Sequence, residues 1–267
     1  MGCCASEEIA PQAPPTGSLE KPEAKKDPKA MGSKTEDPTA GRKKKYAKNA
    51  PIKLGYWKIR GLAQPIRYLL EYTEHPYEDV HYEQGDGPNF SVEEWTSVKN
   101  TLGLDFPTVP YVIDGEAKVT DPYAIMVYLS HAYAPELLGK TPAETGEMDM
   151  FYSQLKEIKQ HITGPCYTQT DKNALGQQAV AKIAPIIQYL GKKDYLFGNE
   201  LRYLDFYLLE LFDFIQWLTE NKFFTEQKAV ARYVKRVKGL RQMKRYIKSE
   251  RYMEKPFNNK VAKINNL

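Results

Sequence analysis

Cysteine is scarce in this chain: the 267 residues include three, Cys3, Cys4 and Cys166, and two of them are adjacent. No disulfide framework or structural zinc set can be assembled from that number and spacing, so a reducing compartment is expected. Long apolar runs are also missing. None approaches the roughly 18 residues that would cross a bilayer, and the N-terminus has no apolar stretch of the kind found in a secretory signal. Membrane contact is therefore expected only through covalent lipid. The body likewise has no excess of one charge. The formal net charge is +4, and residues 1–48 carry ten Lys and Arg against seven Asp and Glu, which leaves the rest of the chain close to neutral. A near-neutral body lacks the clustered positive charge that displaces counterions from a duplex, so nucleic acid is set aside as a partner.

What is present begins with the first fifty residues. The start MGCCAS fits the pattern for myristoylation of Gly2, with Ser6 in the required place, and Cys3 and Cys4 are suited to palmitoylation beside it. One myristoyl chain binds membranes marginally; a second chain or a basic stretch, here Arg42 to Lys45, makes an anchor stable. From Ile9 to Asn49 the chain is rich in Pro, Ala, Lys and Glu and has no aromatic before Tyr46. Such a segment buries too little apolar area to offset its ordering entropy, so residues 1–50 are read as a disordered, lipidated arm. A start at Met31 would remove the lipid signal, because Glu36 stands where the pattern needs Ser or Thr.

The body holds 42% apolar residues in the chain overall, ample for a packed core. Ile52 to Trp57 reads as a strand. Arg60-Gly61 turns the chain, Gln64-Pro65 opens a helix carrying Ile66, Leu69 and Leu70 at helical spacing, and His75-Pro76 stops it. Tyr77 to Glu83 gives a second strand, and a short helix is expected around Trp95. Pro107 to Ile113 is read as a third strand, joined by the hairpin signal Asp114-Gly115 to Ala117–Thr120. Asp121-Pro122 then opens a helix running to about Tyr133, with Asp as cap and Pro in the first turn. This order predicts an α/β thioredoxin-like domain over 51–134. Everything from about 142 to 267 is helical in period, most clearly Leu204, Tyr207, Leu208, Leu211, Ile215 and Leu218, and is read as an all-α domain. The basic run from Arg232 through Arg245 fits a solvated helix face, or a surface for an acidic partner or anionic lipid.

Four stretches carry a family resemblance: LGYWKIRGLAQPIRYLLEYT, the loop GDGPNF, LGLDFPTVPYVIDG and GNELRYLDF. Over most of the body the chain resembles the mu class of the cytosolic glutathione transferases, and the GDGPNF loop favours mu over the other classes. The resemblance implies a glutathione transferase fold, glutathione as co-substrate, no metal, small hydrophobic electrophiles as second substrates, and a homodimer. It places Tyr56 at the end of the first strand as the hydroxyl that donates to the glutathione sulfur. A thiol with a pKa near 8.5 is only about 3% ionised at neutral pH, so such a donor is what the chemistry needs. The resemblance further assigns Leu62 to the sulfur's neighbourhood, and Trp57, Trp95 and Lys99 to the glycyl end of the tripeptide. Val109-Pro110 becomes a cis turn that pairs with its cysteinyl part. Asp121 and Pro122 fall at the γ-glutamyl group, and Glu157 falls where a neighbouring subunit's acid reaches glutathione. Tyr167 then assists the electrophile, the segment near Phe257 closes its pocket, and Phe106 inserts into the partner subunit. Trp95 and Phe106 also read as ordinary core residues, and both readings stay open at this point.

Three positions depart from the family's pattern. Asp121-Pro122 stands where Gln-Ser or Glu-Ser is usual, so Pro122 brings neither the N–H nor the hydroxyl for the γ-glutamyl carboxylate. Each such charge-assisted hydrogen bond is worth roughly 1.5–3 kcal/mol, so weakened glutathione binding is expected. Val92 replaces an arginine expected at the glycyl carboxylate. Arg202 replaces a Ser or Thr helix cap, a loss expected to cost about 1 kcal/mol. Two functions follow from these features: a glutathione transferase tethered to the cytoplasmic face of a membrane, or a catalytically weak glutathione-transferase fold used as an interaction module.

Overall fold

Ile52–Trp57 forms β1 at the centre of a four-stranded sheet in the computed structural model, which describes residues 51–265. The arm read at 1–50, with Gly2, Cys3 and Cys4, lies outside the described residues. Parallel to β1 runs β2 (Tyr77–Tyr82), in a register that sets Tyr56 opposite His81. On the other side β3 (Tyr111–Asp114) runs antiparallel, with Leu54 opposite Val112. Gly55 is needed there because a Cβ built on it would lie 2.1 Å from the Tyr111 ring. A two-residue turn with Gly115 at φ 59 leads from β3 into β4 (Ala117–Thr120), and the sheet order is β2-β1-β3-β4.

The helices of this half follow the expected order. Pro65 lies in the first turn of α1 (Gln64–Thr73), where its missing N–H has no intrahelical acceptor to lose. The short α2 (Glu93–Thr96) precedes β3, and α3 (Pro122–Tyr133) follows β4. One boundary differs from expectation. The third strand starts at Tyr111 rather than Pro107, because Pro107 and Pro110 donate no hydrogen bond to a ladder.

After a single helical turn at Pro135–Leu137, the second half comprises α4 (Pro142–Cys166), α5 (Lys172–Leu190), α6 (Tyr203–Leu218), α7 (Phe223–Glu226), α8 (Lys228–Lys238) and α9 (Arg241–Ile247). The central helix is α6, packed against α1, α4, α5 and α8. Its predicted apolar stripe is buried, and so are Asp205, Glu210 and Asp213, which a one-sided helix would turn to water. Arg60 accounts for two of them. Its buried guanidinium donates to Glu210 and to Asp213 at 3.1 Å, and also to the hydroxyls of Tyr68 and Tyr252 at 2.9 Å each. Removing one partner from such a cluster would leave an uncompensated charge, at about 3–5 kcal/mol.

Asp205 replaces the cap that Arg202 was expected to lose. Its carboxylate accepts the backbone N–H of Arg202 and of Leu196, both at 2.8 Å, and the Tyr233 hydroxyl at 2.7 Å. The Arg202 guanidinium is not idle either: it donates to the Glu136 carbonyl and pairs with Glu200. The α6 start is therefore capped from within the helix. On α8 and α9 the apolar side (Val230, Tyr233, Val234, Val237, Met243, Tyr246) is buried. Several of the cations pair within the chain, Arg236 with Asp194, Lys238 with Asp213, and Arg241 and Arg245 with Glu74. No helix among the described residues is long and apolar enough to cross a membrane.

Candidate active site

Tyr56, the penultimate residue of β1, is buried, and its hydroxyl oxygen accepts the backbone N–H of Leu62 at 3.1 Å. The loop between them makes this possible through Gly61, whose φ is +44 and whose Cβ, were there one, would lie 2.6 Å from the Tyr56 oxygen. The same loop is held from the far end of the chain: Arg60 N–H donates to Pro256 O at 2.9 Å and Gly61 N–H to Phe257 O at 3.3 Å. Burial pushes the Tyr56 hydroxyl up to about 12, against the Leu62 N–H that pulls it down. At neutral pH the group therefore keeps its proton. Since its oxygen accepts from Leu62, its O–H remains free to donate, which is what stabilising a sulfur anion requires.

Beside Tyr56 lies a cavity of about 310 Å³. Tyr56, Gly61 and Leu62 form one wall, α4 another, and Phe257 and Asn258 a third. From α4 come Lys159, Gln160, Thr163 and Gly164, with Tyr167 just past its C-terminal end, a spacing that keeps all five on one helical face. Gly164 leaves open space, with no atom within 4 Å of where its Cβ would stand. A second, larger cavity of about 660 Å³ adjoins it, sharing Ile59, Phe257 and Asn258 and reaching the loop residues Asp86, Gly87 and Phe90.

The remaining predicted residues are distributed as follows. Trp57 ends β1 half-buried, edge-on to Tyr82 at 6.5 Å. Trp95 is buried in a small cluster with Tyr82, Leu104 and Tyr111, its ring stacked on Tyr111 at 5.9 Å. Lys99 is half-buried and forms no ion pair with another described residue. The Val109–Pro110 peptide is cis. Val92 is partly exposed at the start of α2. Glu157 sits on the exposed face of α4 and pairs with Lys182 at 3.0 Å. Phe106 is 79% exposed, so it is no core residue of its own subunit.

Asp121 adopts φ 77 and ψ 130, a conformation costing a non-glycine residue about 1–3 kcal/mol. Its Oδ1 accepts from the N–H groups of Tyr123 at 2.9 Å and Ala124 at 3.2 Å. The first two free donors of α3 are thus taken by the chain's own carboxylate. Oδ2 makes no hydrogen bond among the described residues.

Family models match this chain over both halves: the N-terminal domain of glutathione S-transferase over residues 52–131 and its C-terminal domain over 156–250. The chain belongs to the glutathione S-transferase family. Among its relatives, glutathione S-transferase B of Cavia porcellus is 36% identical over 219 residues, covering 81% of this chain and all of that protein. Glutathione S-transferase Mu 4 of Rattus norvegicus is 34% identical over 215 residues, covering 79% and 97%. Among solved structures, the glutathione S-transferase Blo t 8 superposes with a TM-score of 0.70 at 26% identity, over 79% of this chain and 99% of that one.

Within this glutathione S-transferase, Tyr56, Leu62, Tyr167 and Phe257 line one cavity. Sequence reasoning missed Gly61, Lys159, Gln160, Thr163, Gly164 and Asn258. Stepping back from Tyr167 by three, four, seven and eight residues along a helix would have found the four on or near α4's inner face. Gly61 was legible only as a turn and Asn258 not at all; their place at the site depends on the long-range contact between the first loop and the C-terminal segment.

Proposed function

We propose that this protein joins the sulfur of glutathione to small electrophiles, as a homodimer tethered to the cytoplasmic face of a membrane by acyl groups on Gly2, Cys3 and Cys4. One observation carries the catalytic part: a buried, protonated Tyr56 hydroxyl whose oxygen is engaged by Leu62 N–H and whose hydrogen is free, at the wall of a pocket. The thiol loses its proton to solvent, the anion is held by Tyr56 O–H, and the sulfur bonds to an electrophilic carbon held against Tyr167 as that carbon releases its leaving group, halide from an aryl halide, to solvent. Trp57, Trp95, Lys99, Val109 and Pro110 are assigned to the tripeptide, and Asp121 Oδ2 to its γ-glutamyl ammonium. The exposed Phe106 supports the dimer, since an aromatic ring left in water wants a partner.

A second reading rests on Asp121. With its carboxylate on the N–H groups of Tyr123 and Ala124, and with Pro122 lacking an N–H, the start of α3 offers less to a γ-glutamyl carboxylate, which favours a weak enzyme kept as an interaction module.

Calorimetry with glutathione, together with conjugation of an aryl halide by the full chain and by Tyr56→Phe, separates the two. Binding with Tyr56-dependent turnover supports the transferase; absence of both supports the module. For the tether, Gly2→Ala should move the protein from the membrane to the soluble fraction of a cell that acylates it, and unchanged partitioning would reject it.

A further inference from the structure

From Gln227 to Ser249 the chain carries nine Lys and Arg and no Asp or Glu. On α8, Lys228, Arg232 and Lys235 follow one another at helical spacing, opposite the buried Val230, Val234 and Val237. Arg241, Lys244, Arg245 and Lys248 repeat the pattern along the outer side of α9 and its cap. Arg236, Lys238, Arg241 and Arg245 have acids as partners. Lys228, Arg232, Lys235, Lys244 and Lys248 are exposed and form no ion pair among the described residues. Arg232 and Lys235 also line an open groove of about 490 Å³, beside Tyr195 and Leu240.

A helix face that meets only water ordinarily interleaves both signs of charge. Here Lys228 with Arg232, Arg232 with Arg236, Arg241 with Arg245 and Lys244 with Lys248 are like charges one turn apart, each unfavourable to its own helix. Lys228 also stands in the first turn of α8, where a cation opposes the helix dipole. The buried inner faces keep both helices folded, and the outer charge is relieved when an anionic surface approaches. The exposed large apolar side chains, Val92, Phe106, Met150 and Val261, all lie outside α8 and α9, so this face has nothing to insert among acyl chains and acts by charge alone.

We propose that the outer face of α8 and α9 docks on a bilayer of anionic phospholipid, with headgroup phosphates seated against Arg232 and Lys235. The choice of lipid rests on the membrane reading above, though not on the acyl groups themselves. Four of the five unpaired cations are lysines, compact charges on flexible stems that suit a diffuse field of phosphates, whereas a single shaped ligand favours the planar fork of arginine. A chain already held at a surface by acyl groups needs only a weak contact from its body, because that second contact is intramolecular. The contact turns a tether into an orientation, with α8 towards the lipid.

The test sediments the full chain, produced without acylation, with vesicles of phosphatidylcholine alone or with about 30% phosphatidylserine, at about 0.1 M salt. Binding to the anionic vesicles only is expected, lost as salt rises to about 0.5 M. The triple variant Lys228→Gln, Arg232→Gln, Lys235→Gln should partition at least about thirtyfold less, while Lys228→Arg with Lys235→Arg should bind as the wild type does. If thermal melting shows the triple variant unfolded, Lys244→Gln with Lys248→Gln carries the comparison, with a fall of at least about fivefold. A folded triple variant with unchanged partition means that the arm's own Arg42 to Lys45 does the binding, and overturns the proposal. A wild type that ignores the anionic vesicles overturns it too; if that protein is held on heparin through the same three residues, the partner is a soluble polyanion. The acyl tether is judged separately, by Gly2→Ala in cells, and survives either failure.

Discussion

Asp121 Oδ1 accepts the backbone N–H of Tyr123 across 2.9 Å, one residue beyond a proline that has no N–H to give. The pair explains how α3 starts without the usual serine. It also sets up competition, because a substrate carboxylate would seek the same donors. Pro122→Ser adds a backbone N–H and a hydroxyl without touching the Asp121 cap. Glutathione should bind at least about tenfold more tightly by calorimetry, at a stability cost of about 0.4–1 kcal/mol from the freer unfolded chain. Equal affinity would mean that these two donors are not used.

Tyr56 holds its proton up to about pH 12, so it acts by donating and not by accepting. In wild-type protein the rate should rise with pH through an apparent thiol pKa below the free value near 8.5, with no alkaline fall due to Tyr56 until far higher pH. Tyr56→Phe should move that inflection up by about one to two units and lower turnover at neutral pH by roughly 10–100-fold. A pH–rate profile for each protein checks this.

Gly61→Ala forces a methyl group to within 2.6 Å of the Tyr56 oxygen. The hydroxyl must shift, and kcat/KM should fall on the order of 100-fold, as misplacement of a reacting partner by about an ångström does. Binding of glutathione should change less than turnover, which separates this effect from general damage.

Asp205→Ala leaves the N–H groups of Leu196 and Arg202 without their acceptor inside the core. A loss of about 2–4 kcal/mol is expected in urea unfolding. Burial outweighs the hydrogen bonds and holds this carboxyl at about 6, above its ordinary value, so the folded state binds its proton more tightly than the unfolded state does. Its contribution to stability therefore declines as pH rises from about 4 to 6, and the variant should lack that segment of the pH curve.

Local chemistry made much of the fold legible. Gln64-Pro65, Asp114-Gly115 and Asp121-Pro122 mark helix starts and a turn by backbone rules that act within a few residues, and all three stand where they were read. Pro107 and Pro110 were equally readable as breaks in a ladder but were included in a strand that begins only at Tyr111. The burial of Asp205, Glu210 and Asp213 was not legible, for a different reason. Carboxylates on a helix read as facing water, and their burial depends on Arg60, Tyr233 and Lys238, which lie 25 to 153 residues away along the chain. The site shows the same division. Tyr56 and Tyr167 sit in recognisable motifs, while Lys159 and Gly164 look like ordinary helix-surface residues until the C-terminal segment closes over them.

That closure also dictates a timetable. The carbonyls that hold the loop carrying Gly61 belong to Pro256 and Phe257, made long after that loop. The sheet can assemble early in synthesis, yet the loop that aims Leu62 at Tyr56 is not fully held until Pro256 and Phe257 have been made and packed. A nascent polypeptide that stops short of Pro256 would carry the right tyrosine on an unheld loop, so reactive chemistry is withheld until that segment is in place.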